Sequence, residues 1–130
     1  MSVPSRRLTL SMPSKRANPK AYLFHIRENI TLARSFIDGL EYESFRDNQL
    51  VFYGVMRALE IISEASRRLP AAMKARHPEI PWQDVAGAGS VYRHDYEDVR
   101  QRDVWTTVKK HLPPLLAVVE GELRQLGELP

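Results

Sequence analysis

The chain has 130 residues, with 19 Lys and Arg against 16 Asp and Glu, and no cysteine. That length holds one domain around one core. The absence of cysteine excludes disulfides, thiolate metal sites and a cysteine nucleophile, and it suits a reducing cytoplasmic setting.

The charge divides unevenly. The first twenty residues hold Arg6, Arg7, Lys15, Arg16 and Lys20 and no acid, so the remaining 14 bases face 16 acids. The part that folds is mildly acidic, unlike a general nucleic-acid-binding field. No apolar run approaches the roughly 18–20 residues needed to span a bilayer, so no membrane partner is expected. No apolar stretch of signal-peptide length follows Arg6 and Arg7. Residues 1–18, with serines, prolines and scattered bases, read as a flexible basic arm. Residues 19–130 read as one helical domain.

The first helix is predicted to begin at Asn18-Pro19, an N-cap followed by a proline at the first helical position. Leu23, Ile26, Ile30, Ala33 and Ile37 then form one apolar stripe, and Asp38-Gly39 ends it. A second helix is predicted from Glu43–Asp47 to about Leu69. Its stripe is read as Leu50, Tyr53, Met56, Leu59 or Val55, Ile62 and Ala65. Small residues Gly54, Ala58, Ser63 and Ala65 allow a neighbouring helix to approach closely. Arg57, Glu60 and Glu64 line one side, either as a surface ion-pair ladder or as part of a polar cleft. Spacing does not decide between the two.

Pro70 stops that helix or starts a short one through Arg76. His77-Pro78-Glu79-Ile80-Pro81-Trp82 reads as an extended connector anchored by Ile80 and Trp82. Residues 83–92 read as a short helix or a turn. The last segment is predicted from Asp103, as N-cap, to Leu126. Val104, Val108, Leu112, Leu115, Val119, Leu123 and Leu126 keep a helical repeat, with a kink near Pro113-Pro114. With no alternating strand pattern, the fold class is all-α, an antiparallel bundle of four or five helices.

The densest chemistry lies in Gly87-Ala88-Gly89-Ser90-Val91-Tyr92-Arg93-His94-Asp95-Tyr96. His94 can move protons near neutral pH, Arg93 can fork onto a phosphate, and the Tyr96 phenol can donate, accept or be modified. The glycine spacing is too loose for a phosphate-binding loop. His25, His77, His94 and His111 are not spaced as paired metal ligands, so neither a metal nor another cofactor is expected.

Four landmarks in order carry a family resemblance. Val55-Met56-Arg57-Ala58-Leu59-Glu60-Ile61-Ile62-Ser63-Glu64-Ala65 is similar to the second helix of HepT-like proteins, a branch of the all-helical HEPN superfamily. His77–Trp82 resembles the connector of that family. His94-Asp95-Tyr96 falls where the family carries His-x-Tyr, and Val104-Trp105 followed by Leu112-Pro113 resembles the start of its final helix. The resemblance covers roughly residues 20 to 126.

It implies a homodimeric, metal-independent ribonuclease that acts as the toxin of a toxin–antitoxin pair, its cleft between subunits. The implied partner is a nucleotidyltransferase antitoxin that silences the toxin by adding AMP. The implied catalytic histidine is His94 and the implied modification site is Tyr96. The family places an Arg, often followed by Asn, with four to six residues between the Arg and the His. Here those positions are Gly87, Ala88 and Gly89, with Ser90 at the Asn position. Arg93, beside His94, and Arg57 are the alternative arginines for the RNA phosphate, with Ser90 beside it and Glu64 supporting the cleft. A second reading is a catalytically degenerate module that dimerises and binds a nucleotide or the antitoxin.

Overall fold

The computed structural model describes residues 18–91 and 97–130, excepting the side chains of residues 90, 91 and 97–99. The predicted basic arm lies outside these residues but for Asn18. Seven helices and one π turn run in the order α1 Pro19–Phe36, α2 Tyr42–Arg46, α3 Gln49–Arg67, α4 Ala71–Ala75, α5 Trp82–Val91, α6 Glu97–Thr106, the π turn Thr107–His111, and α7 Leu112–Gln125. No strand occurs among the described residues.

Helix α1 starts as its sequence dictates. The Asn18 side chain accepts from the Ala21 N–H at 3.2 Å, and Pro19 occupies the first turn, where its missing N–H is not needed. Leu23, Ile26, Ile30, Ala33 and Ile37 are all buried. The chain then reverses at Gly39, whose φ of +79° is strained for any residue with a side chain. Helix α1 packs on α3 and on α7, α5 packs on the other side of α3, and α6 lies against α2.

The segment predicted as one helix from residue 43 to 69 is two. Helix α2 stops at Arg46, and Asn48 caps α3 by accepting from the Val51 N–H at 3.1 Å. Asn competes for backbone donors and so favours a helix start over a helix interior. The buried face of α3 also differs from the predicted stripe. Phe52, Val55, Ala58, Leu59, Ile62 and Ala65 are buried, whereas Leu50 and Tyr53 are 83% and 64% exposed. The break frees α3 to turn Phe52 inward, where it meets the fully buried Phe45 at a ring distance of 5.9 Å.

The predicted extended connector is instead a compact turn. The Ile80 N–H bonds the His77 carbonyl, and the Trp82 indole donates to the carbonyls of Lys74 and His77 at 3.1 and 3.0 Å. The final segment begins at Glu97, so Asp103 lies inside α6 rather than capping it. Trp105 stands in its last turn, packed on Phe45 at 5.3 Å. The predicted interruption near Pro113-Pro114 takes the form of the π turn, after which the prolines sit in the first turn of α7. A proline cannot supply an N–H to the preceding turn, so the i→i−4 ladder gives way there. Val104, Val108, Leu112, Leu115, Val119 and Leu123 all reach the core, while Leu126 is exposed.

Candidate functional site

Helix α5 leads directly into the segment that holds the candidate residues, and it is seated closely on α3. Ser63, buried on α3, bridges two turns of α5. Its hydroxyl donates to the Val85 carbonyl and accepts from the Gly89 N–H, both at 2.9 Å. Those two groups are the i and i+4 partners of one helical turn, so a side chain of α3 is inserted into the hydrogen-bond ladder of α5. At the same level the two backbones touch. A Cβ placed on Gly89 would lie 2.8 Å from the Glu60 Cα. Only glycine fits there.

This contact bears on the missing arginine. The shortest family spacing puts the motif Arg at residue 89, a position closed by the backbone of α3. Residue 87 is different: a Cβ on Gly87 meets nothing within 4 Å. Gly87 and Ala88 border a cleft of about 560 Å³ between α3, α5 and the π turn. Leu59, Ile62, Leu112 and Leu115 line its apolar side, while Asp84, Asp103 and His111 lie on its polar side.

The other candidates separate. Arg93, His94 and Tyr96 lie outside the described residues, and Ser90 is placed only by its backbone, near the end of α5. Arg57 projects from α3 one turn before Glu60, 72% exposed and paired with Glu60 at 3.3 Å. Glu64 lies one turn after Glu60. Its carboxylate accepts from Arg67 at 2.5 Å and from Arg68 at 2.9 Å. Hydrogen bonds from Arg67 and then Arg68 hold it below the ordinary carboxylate range. Its contacts position a neighbour: the Arg67 it orients also donates to the Ala86 carbonyl of α5. Arg57 and Glu64 thus flank the point where α5 meets α3, within ion-pair ladders on the surface.

A second polar cluster carried no warning in the sequence beyond one oddity, an acid on the apolar face of the last helix. Glu122 on α7 is buried, 7% exposed, and accepts from the Arg76 guanidinium at 2.6 Å and from His77 Nε2 at 2.6 Å. Burial pushes its carboxyl up, but the Arg76 and His77 hydrogen bonds overcome that and hold it below its ordinary value. The cluster ties the turn after α4 to the end of the bundle. Among the described residues no group of His, Asp and Glu side chains is arranged to hold a metal ion. No helix among them is long and apolar enough to cross a membrane.

The all-α bundle, with a His-x-Tyr sequence after the glycine-seated helix, agrees with a HEPN-type helical protein. The chain belongs to the ribonuclease HepT-like family, whose model matches residues 26–121. A protein named probable ribonuclease HepT from Thermococcus cleftensis is 41% identical over 96 residues, covering 74% of this chain and 87% of that one. A candidate RNase of Caldanaerobacter subterraneus is 32% identical over 107 residues, covering 82% of this chain and 96% of its own length. Another candidate RNase, from Methanocaldococcus jannaschii, is 34% identical over 107 residues, covering 82% and 88%. No solved structure gave a significant match.

Proposed function

We propose that this protein is a metal-independent endoribonuclease and the toxin of a toxin–antitoxin pair. The observation that carries the reading is the family match, which spans residues 26–121 and so the stretch with His94-Asp95-Tyr96. In the proposed reaction His94 removes the 2′-hydroxyl proton of the RNA. The 2′-oxygen then attacks the adjacent phosphorus, and the 5′-oxygen leaves with a proton. A positioned base or acid of this kind contributes roughly 10²–10⁴-fold. An arginine, Arg93 or Arg57, stabilises the charge that builds on phosphorus, and Ser90 is a further donor to it.

The active unit is a homodimer, so that His94 residues of two subunits can divide the base and acid roles. The exposed Leu50 and Tyr53 of α3, with Leu32 and Phe36 of α1, support an apolar contact of this kind. The partner is a nucleotidyltransferase antitoxin. It transfers AMP from ATP to the Tyr96 phenol, releasing pyrophosphate, and the added anion repels RNA from the cleft.

The closed position at Gly89 favours a second reading, a module that has lost cleavage and binds a nucleotide or the antitoxin. One experiment separates them. Wild type and His94→Ala are induced side by side at equal soluble abundance. Growth arrest and RNA cleavage by wild type alone support the nuclease; arrest by neither supports the binding module.

A further inference from the structure

Basic side chains are unevenly matched with acids. Lys20, Arg27, Arg57 and Arg68 on α1, on α3 and just after α3 each contact a carboxylate. Arg102 of α6, Lys109 of the π turn and Arg34 at the end of α1 have no ion-pair partner among the described residues. These three are also linked. The Arg102 guanidinium lies 4.2 Å from the centre of the Tyr42 ring. Tyr42 meets Trp105 edge to face at 5.9 Å, and Lys109 Nζ lies 5.3 Å over Trp105. Lys109 then borders a pocket of about 410 Å³ with Arg34, Thr31 and Ser35. The result is a succession of contacts, cation to ring to ring to cation, that ends at the pocket holding Arg34. Asp38 lines the same pocket. The nearby Arg46 does not join the line as a free charge, because Asp47 holds it at 2.9 and 3.2 Å.

The rings fix the charged heads without neutralising them. A cation over an aromatic face is held there by the ring quadrupole, and it keeps its outward N–H groups for another acceptor. A succession of such heads beside aromatic rings suits a polyanionic strand better than a compact acidic patch. We propose that the row Arg102–Tyr42–Trp105–Lys109–Arg34 binds the phosphate backbone of a single-stranded RNA. The proposal rests on the ribonuclease reading, and it names the surface along which that substrate is held.

The test is fluorescence anisotropy of a labelled mixed-sequence RNA of about 12 nucleotides, titrated across a salt series with the full chain carrying His94→Ala. The row variant adds Arg34→Gln, Arg102→Gln and Lys109→Gln. Loss of three phosphate contacts, at ~0.7 each for a single strand, lowers the slope of log K against log salt by about 2 and weakens low-salt binding at least roughly tenfold. A matched variant with Lys20→Gln, Arg68→Gln and Arg124→Gln makes the same change in net charge and keeps the parental slope. The charge-retaining Arg34→Lys, Arg102→Lys, Lys109→Arg variant also keeps it, which separates lost contacts from lost folding.

Equal slope changes in the row and matched variants reduce the effect to net charge and overturn the proposal. A row variant that binds RNA like its parent also overturns it. If wild type arrests growth while the row variant binds unchanged, only this proposal falls. A chain that neither arrests growth nor binds the probe removes both.

Discussion

The Glu60 Cα occupies the place where a side chain at residue 89 would begin, 2.8 Å from a Cβ built on Gly89. Restoring the family arginine is therefore a different experiment at each position. Gly89→Ala is expected to destabilise the fold by about 1–3 kcal/mol, because a methyl group must push two helix backbones apart. Gly89→Arg is worse. Gly87→Arg has open space and is expected to leave the melting temperature nearly unchanged while raising RNA cleavage. Thermal melts and a cleavage assay on the three variants check this.

Ser63→Ala removes the hydroxyl that links the Val85 carbonyl to the Gly89 N–H. The two backbone groups can then move toward one another, which limits the loss to about 1–2 kcal/mol. The expected signature is faster hydrogen exchange at the Gly89 amide with little change in the core amides of α1.

Glu122 makes the fold acid-sensitive. Its carboxyl is held below its ordinary value of 4.5 in the folded state. The unfolded chain therefore binds the proton first as pH falls. The stabilisation is fully present above about pH 5 and is lost as pH drops through the lowered folded value. Glu122→Gln is expected to cost about 1–3 kcal/mol at neutral pH and to flatten stability against pH below about 5. Urea denaturation at a series of pH values reads both effects.

The apolar face of α3 gives a test of assembly. Leu50→Glu with Tyr53→Glu alters side chains that make little contact with their own bundle, at 83% and 64% exposure. The monomer is expected to keep its stability within about 0.5 kcal/mol, while light scattering reports loss of the proposed dimer.

Tyr96→Phe removes the phenol oxygen that would accept AMP. With the proposed nucleotidyltransferase partner and ATP present, this variant is expected to arrest growth and to gain no AMP mass. Neutralisation of the variant by AMP addition would place the modified residue elsewhere.

Much of the architecture is legible because it is local. Leu23, Ile26, Ile30, Ala33 and Ile37 face one way for no reason beyond their spacing, and all are buried. Asn18-Pro19 and Gly39 mark a start and a stop by backbone chemistry that needs no distant partner. The break at Asp47-Asn48 was less visible, since no proline or glycine stands there. Its consequence, the inward turn of Phe52 and the outward turn of Leu50 and Tyr53, could not be read from the periodicity of α3 alone. A helix packed by α1 on one side and α5 on another buries a wider arc than a single stripe.

For the candidate site, the sequence alone determined the residue types and their order: Gly87, Gly89, Ser90, Arg93, His94 and Tyr96, with no arginine at the family positions. Only the tertiary structure decided that Gly89 is required by the Glu60 backbone, and that Ser63 reaches across 26 residues to hold it. The same holds for Glu122, joined to His77 across 45 residues, and for Arg102, seated on Tyr42. Helix periodicity records which side of a segment avoids water. Which distant residue then meets that side depends on how the helices cross, and no local pattern encodes the crossing.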